Sequence, residues 1–256
     1  MTGFEIITPH RASAQFAGLC ALGVMTKVPQ PRKVKTRLSP PLTPGEAAEL
    51  NACFLRDLSR SITSACAIAP AKGVAVYTPV GKEAAYNDIL SAGFLLLPQR
   101  GDAFDQRLGF AVTDLFDAGF AAACLINSDS PTVPAEHFAE AANELAKPGD
   151  RIVLGPSDDG GYYLIGLKTH QGRVFEAIDW STERVLEQTL ERVREISVPV
   201  HQLPSGYDVD DWSSLRRLCE DLLGPGGDST TAPHTQRWLR AIVDTEGRDR
   251  IWPDSV

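Results

Sequence analysis

Short apolar runs alternate with amphipathic stretches along most of this chain. Residues 16–27, 73–79, 93–98, 151–155, 162–167 and 197–203 are short, apolar and closed by polar turns, so each reads as a buried strand. A further run, Ala121-Ala122-Ala123-Cys124-Leu125-Ile126, empties into the acidic turn Asn127-Ser128-Asp129-Ser130-Pro131. It reads as the fourth strand, with Asp129 at its carboxyl end. Between the strands the apolar spacing becomes helical. Residues 46–66 place Ala47, Leu50, Phe54, Leu58 and Ile62 on one face, behind a start signal at Thr43-Pro44-Gly45-Glu46. Residues 83–91, 105–118, 134–145, 182–195 and 211–222 read as further helices, with Ser181 or Thr182 capping the fourth of these and Asp211 the last. Strands alternating with helices predict an α/β fold, a mostly parallel mixed sheet with helices on both faces, in one domain over residues 15–222. Residues 1–14 read as a loose N-terminal leader. Residues 223–256 read as a Gly-rich linker and a C-terminal appendage with a helix at 236–243.

Composition narrows the function. A net charge of -8 over 256 residues argues against a nucleic-acid binder, which would carry a basic face. The apolar stretches near Leu19 and Leu95 are too short for a membrane span. No basic, apolar, small-residue order opens the chain, so no signal peptide is expected. Five cysteines are scattered without a C-x-x-C and lie in apolar runs, which fits reduced thiols in a cytoplasmic protein. The five histidines are dispersed, so no zinc site is expected.

Four segments carry candidate chemistry. The first is the Asn127-x-Asp129 turn. Ligands in open α/β sheets bind beyond the carboxyl ends of strands, and such a triplet offers the hard oxygens that Mg²⁺ or Mn²⁺ bridging to phosphate prefers. It reads equally as an Asx-turn that ends a strand. The second is the basic loop after the first strand, with Lys27, Arg32, Lys33, Lys35 and Arg37 in an otherwise acidic chain. Lys acts on phosphate as a point charge and Arg as a fork, although a solvated loop has the same composition. The third is Asp158-Asp159-Gly160-Gly161 with Tyr162, a hairpin turn whose glycines allow close approach to a ligand. The fourth is Asp208-Val209-Asp210-Asp211. Asp208 and Asp210 point to one side of an extended segment, and with Asp129 they make a set of oxygens for one divalent ion. Trp180 offers an aromatic wall for a ring-shaped ligand, or a packed side chain.

In combination, Val34-Lys35-Thr36-Arg37-Leu38, Ser128-Asp129-Ser130-Pro131, Gly155-Pro156 with Asp159 to Gly166, Trp180-Ser181-Thr182 and Asp208-Val209-Asp210 resemble the DUF2064 glycosyltransferase-like family over roughly residues 16–222. That family is related to arsenosugar-biosynthesis glycosyltransferases and has the GT-A, nucleotide-diphosphosugar transferase fold. The resemblance implies a nucleotide at Lys27, Lys35 and Arg37, and a divalent metal at Asp129 with Asp210 as its second carboxylate. Three positions depart from the family pattern: Arg32 and Asn127 each stand where Gly is usual, and Phe104-Asp105 stands for a Leu-Gly pair.

The reading is a metal-dependent glycosyltransferase that moves a sugar from a nucleotide-sugar donor to a small-molecule acceptor. Mg²⁺ or Mn²⁺ and the basic loop neutralise the leaving diphosphate. Asp158 or Asp159 acts as catalytic base, and Gly160, Gly161, Tyr162 and Trp180 contact substrate. Two alternatives share the fold: a nucleotidyltransferase releasing pyrophosphate, and a non-catalytic nucleotide-sugar binding protein.

Overall fold

The computed structural model describes residues 3–227 and 230–252. Residues 1–2 of the expected leader, 228–229 of the expected linker and the last four of the appendage lie outside the described residues. Eight strands form one sheet: β1 (Glu5–Ile6), β2 (Cys20–Lys27), β3 (Ala71–Thr78), β4 (Leu95–Pro98), β5 (Ala122–Ile126), β6 (Ile152–Pro156), β7 (Tyr162–Leu167) and β8 (Val200–Gln202). Their order is β1-β4-β3-β2-β5-β7-β6-β8. All pairings are parallel except those of β7, which runs antiparallel to both β5 and β6. The α/β sheet expected from the alternation is therefore present, as a single mostly parallel mixed domain. Within the segment expected to be a leader, Glu5–Ile6 forms an edge strand against β4, and Ile7 is buried.

Alternation along the central strands separates two core layers. Leu22, Val24, Cys124 and Ile126 face one side, with Leu58 and Ile62 of α1 (Pro44–Cys66) and Phe138 and Leu145 of α3 (Ala135–Ala146). Ala21, Ala123 and Leu125 face the other, with Leu108 and Leu115 of α2 (Phe104–Asp117) and Val193 of α4 (Val185–Glu195). The period of two places consecutive residues on opposite faces, so one short strand serves both layers. The expected start signal of α1 is a complete capping box: Thr43 accepts from the Glu46 amide, and Glu46 accepts from the Thr43 amide at 2.7 Å. Asp211 caps α5 (Trp212–Leu223) in the same way.

Two elements differ from expectation. The helix expected over residues 83–91 is only a 3₁₀ turn at Glu83–Tyr86. Glu83 spends its carboxylate on the Gly81 amide and the Tyr77 hydroxyl instead of supporting a helical turn. The helix expected from Thr182 begins at Val185, without a side-chain cap. Thr182 donates to the Asp179 carbonyl at 2.7 Å, which holds the preceding turn.

A third core lies between α1, α5 and α6 (Pro233–Glu246), built from Leu50, Phe54, Leu215, Leu218, Leu239 and Ile242. Asp57 of α1 is fully buried and accepts the first amides of α6, His234 N at 2.9 Å and Thr235 N at 2.8 Å. Two orphan donors of one helix are thus satisfied by the side chain of another. Replacing Asp57 with Ala leaves the buried Thr235 amide and the part-buried His234 amide without this partner. The expected loss is about 2–3 kcal/mol, seen as a lower urea midpoint. A variant within about 0.5 kcal/mol of the parent would show that the cap contributes nothing.

Candidate active site

The carboxyl ends of β2 and β5 and the hairpin turn between β6 and β7 surround a cleft of about 520 Å³. Asp129, Asp159, Asp208 and Asp210 line one part of it; Met25, Leu108, Phe104 and Trp180 line another. A second cavity, of about 330 Å³, is lined by Lys27, Lys33, Lys35 and Arg37 of the basic loop. The two share Arg37, Ser128, Asp129 and Asp210. The residues expected to hold metal and phosphate therefore lie around one junction.

At that junction stands a cation of the protein's own. The Lys35 side chain is only 4% exposed, and its Nζ forms ion pairs with Asp129 Oδ1 and, at 2.9 Å, Asp210 Oδ1. It also donates to the Val209 carbonyl at 2.8 Å. Burial works against the ammonium, yet Asp129 and Asp210 outweigh it and hold the Lys35 pKa above its ordinary value. Arg37 reaches the other oxygen of Asp210 at 2.9 Å. The backbone of Lys35 is left-handed, with φ 48°, and so is that of Arg32, with φ 63°. A Gly at position 32 would adopt that conformation freely, which gives the departure there a conformational meaning.

The expected metal carboxylates do meet, and the ammonium between them shows that the pair holds a cation. Their hard oxygens are of the kind that Mg²⁺ or Mn²⁺ takes, so in chemistry the residues fit such an ion, and Lys35 occupies the position between them. Among the described residues, the ligand-type side chains close enough to share an ion as a group of three are His10, Asp114 and Asp117, none of which lines the cleft. Asp114 there is already gripped by Arg100, with contacts of 2.8 and 2.7 Å.

Two sequence assignments change. Asn127 does not present a free ligand oxygen. Its Oδ1 accepts from the Asp129 amide at 3.2 Å and its Nδ2 donates to Asp208 at 2.7 Å, so it organises the turn. Asp158 is not in the cleft. It faces away, paired with Arg217 at 2.7 Å and Ser205 at 2.9 Å, and its pKa is held low by Arg217. Tyr162 lines the cleft, as expected of it, while its ring packs against the core beside α4 and burial pushes its hydroxyl pKa up. Asp159 remains exposed at the cleft wall, its Oδ1 accepting from the Gly161 amide at 2.9 Å. Gly160 is packed too tightly for any side chain: a Cβ would lie 2.1 Å from the Glu183 carbonyl oxygen. Its own carbonyl accepts from the Leu186 amide at 2.8 Å, which fixes the turn to the start of α4. Trp180 lines the cleft and meets the half-exposed Phe104 edge to face, with ring centroids 5.0 Å apart. Phe104, one of the family departures, thus supplies an aromatic wall of its own.

Asp208, expected to share an ion with Asp129 and Asp210, is instead engaged by the protein's own donors. Asn127 Nδ2 at 2.7 Å, Ser130 Oγ at 2.5 Å and Ser157 Oγ at 3.2 Å all donate to its Oδ1. Burial is the main cause that raises its pKa to about 6; Asp129 and Asp159 add to it, and the Ser130 and Asn127 hydrogen bonds oppose it. The alternation at 208 and 210 put both on one side, but Asp208 turns to β5 and Asp210 to the basic loop. A folded pKa above the unfolded value means that the native state binds more protons between about pH 4 and 6. Asp208 therefore costs stability as pH rises through that window. In the metal-free protein under chelator, Asp208→Asn should be more stable than the parent by on the order of 1–3 kcal/mol at pH 7.5, with most of the gain gone at pH 4. A gain equal at both pH values would place the effect in packing rather than charge.

Residues 62–182 match the family described as an uncharacterized protein conserved in bacteria (DUF2064), which bears out the resemblance read from the sequence. A crystal structure described as a "putative nucleotide-diphospho-sugar transferase" from Desulfovibrio desulfuricans G20 is 28% identical. It superposes with a TM-score of 0.77 over 89% of this chain and 96% of that one. More distant are a CMP:2-keto-3-deoxy-manno-octonic acid synthetase complexed with CTP, at 10% identity, TM-score 0.49 and coverage of 78% and 96%, and Rv0371c from Mycobacterium tuberculosis H37Rv, at 17%, 0.47 and coverage of 80% and 98%. Neither of these two bears on the chemistry here. No curated protein sequence matches the chain. The fold is that of the nucleotide-diphosphosugar transferases. Among the described residues, no helix is long and apolar enough to cross a membrane.

Proposed function

We propose that this protein, a DUF2064 chain by its match over residues 62–182, transfers a sugar from a nucleotide-diphosphate sugar to a small-molecule acceptor. The observation that carries the reading is the junction of the two cavities, where Lys35 and Arg37 stand beside Asp129 and Asp210 at the carboxyl ends of β2 and β5. The similarity to the Desulfovibrio structure supports it. A diphosphate at the junction would meet Lys27 and Lys35 as point charges and Arg37 as a two-pronged donor. The donor's sugar would extend along the carboxylate wall, and Phe104 and Trp180 would flank a ring at the apolar end.

In the transfer, the acceptor oxygen bonds to the anomeric carbon while the bond from that carbon to the β-phosphate oxygen breaks. The nucleoside diphosphate leaves with the electron pair. The acceptor's hydroxyl proton passes to Asp159, the carboxylate of the Asp158-Asp159 pair that lines the cleft. Lys35 and Arg37 stabilise the charge that develops on the leaving diphosphate. Mg²⁺ or Mn²⁺, held by Asp129 and Asp210 when bound, would supply further neutralisation of that charge. Asn127 and Ser130 hold Asp208, and with it the shape of the carboxylate wall.

Product identity tests the reading. Glycosyl transfer releases a nucleoside diphosphate, whereas nucleotidyl transfer from an NTP releases pyrophosphate. Incubation with a panel of nucleotide sugars and alcohols, followed by nucleotide chromatography, should give the diphosphate. Steady pyrophosphate from NTPs and sugar phosphates would make the protein a nucleotidyltransferase. Nucleotide-sugar binding with neither product would make it a binding protein. Asp159→Asn should keep donor affinity within about threefold and lower kcat by roughly 10²–10⁴-fold, as expected for a lost proton acceptor. An unchanged kcat would remove Asp159 from the chemistry.

A further inference from the structure

We propose that Lys35 is an exchangeable resident cation: its ammonium occupies the divalent-ion position between Asp129 and Asp210 and yields it only when a diphosphate arrives to receive the ammonium. The inference rests on the nucleotide-sugar reading of this junction. It starts from the contacts of Nζ, which is surrounded by oxygens of Asp129, Asp210 and Val209. Those are the oxygens that an ion at the junction would use. Two carboxylates face two cations here, Lys35 and Arg37, so the set is neutral. A divalent ion added to it would repel a neighbouring ammonium, and both need the same oxygens. A diphosphate changes the balance, since it brings negative charge and a new set of acceptors for Lys35.

The structure leaves room for the exchange. The ammonium stands where the basic-loop cavity meets the cleft, and both cavities are open at Asp129 and Asp210. Lys35 has a flexible four-carbon stem, whereas the carboxylates are fixed by their loops. The Val209 amide donates to the Asp129 carbonyl at 2.9 Å, and the Asp210 amide donates to Ser214 Oγ at 2.9 Å. Movement therefore falls to the lysine. One consequence is order of binding: the free protein should take up metal poorly, and metal and diphosphate should load together.

The test measures Mn²⁺ binding without nucleotide, by the loss of the free-ion resonance in electron paramagnetic spectra. Lys35→Gln keeps a polar side chain but removes the charge, and should bind Mn²⁺ at least tenfold more tightly than the parent. Lys35→Arg should bind it as weakly as the parent. Adding Asp129→Asn to Lys35→Gln should abolish the gain. Equal affinity of parent and Lys35→Gln overturns the proposal, as does a gain that survives loss of Asp129. A second measurement needs no variant. Millimolar Mn²⁺ alone should leave acylation of Lys35 in the parent within about twofold of the metal-free rate, read by peptide mass spectrometry, because without a diphosphate the ammonium keeps its place. A marked acceleration by Mn²⁺ alone overturns the proposal. The nucleotide-sugar reading fails separately: if no nucleotide sugar binds while the Mn²⁺ and acylation results hold, the exchange stands and the proposed reaction falls.

Discussion

A single buried ammonium closes this site. Lys35 lies in the loop after β2, Asp129 in the turn after β5, and Val209 and Asp210 in the segment before α5. These three segments are remote in sequence, Lys35 and Asp210 being 175 residues apart. Burying one charge among unlike charges is close to neutral when the set is complete and strongly unfavourable when one member is lost. The set is therefore better understood as a fastener of geometry than as a source of stability. It fixes where the basic loop lies relative to the carboxylates, and that relation defines the junction of the two cavities.

The rest of the architecture supports that fastener from behind. α1 follows the basic loop and packs by Leu50 and Phe54 against α5 and α6, and the Phe54 ring lies 5.5 Å from the Lys35 ammonium. Asp57 and Glu46 tie the chain after α5 to α1, the first by capping α6 and the second by its contacts with Arg250. Those Arg250 contacts are the main reason that the Glu46 pKa falls to about 2. The C-terminal elements thus hold α1 and α5, and these position Lys35 and Asp210. On the opposite side, the tight contact of Gly160 with residue 183 sets the distance between the Asp159 turn and the Trp180 wall.

Elements built on local signals were legible in the sequence. The capping box at Thr43, the Asp211 cap, the apolar runs of β2, β5 and β7 and the turn at Asp159-Gly160 need only neighbours within a few residues. Legibility failed where side chains had distant partners. Nothing near Asp158 announces Arg217, so the two adjacent aspartates looked equivalent, although one turns outward. Nothing near Asn127 announces Asp208. Lys35 and Asp129 could each be read as ligand-facing, since the pattern of either segment does not show that they face each other. Charge types are local; their pairing is tertiary.

The departures from the family pattern fit the same division. At position 32 the structure asks for a left-handed backbone, and Arg adopts it at a cost of about 1–2 kcal/mol that Gly would avoid. At position 127 the side chain contributes two hydrogen bonds that Gly lacks, one to the turn holding Asp129 and one to Asp208. At position 104 an exposed aromatic ring meets Trp180 at the rim of the cleft. Only the last alters a surface that a ligand would touch; the other two act on the backbone and on the carboxylate that a ligand meets second-hand. A difference in specificity from relatives with the usual Leu-Gly pair should therefore lie at the apolar end of the cleft. The charged junction keeps the Lys, Arg and Asp residues on which the proposed diphosphate site rests.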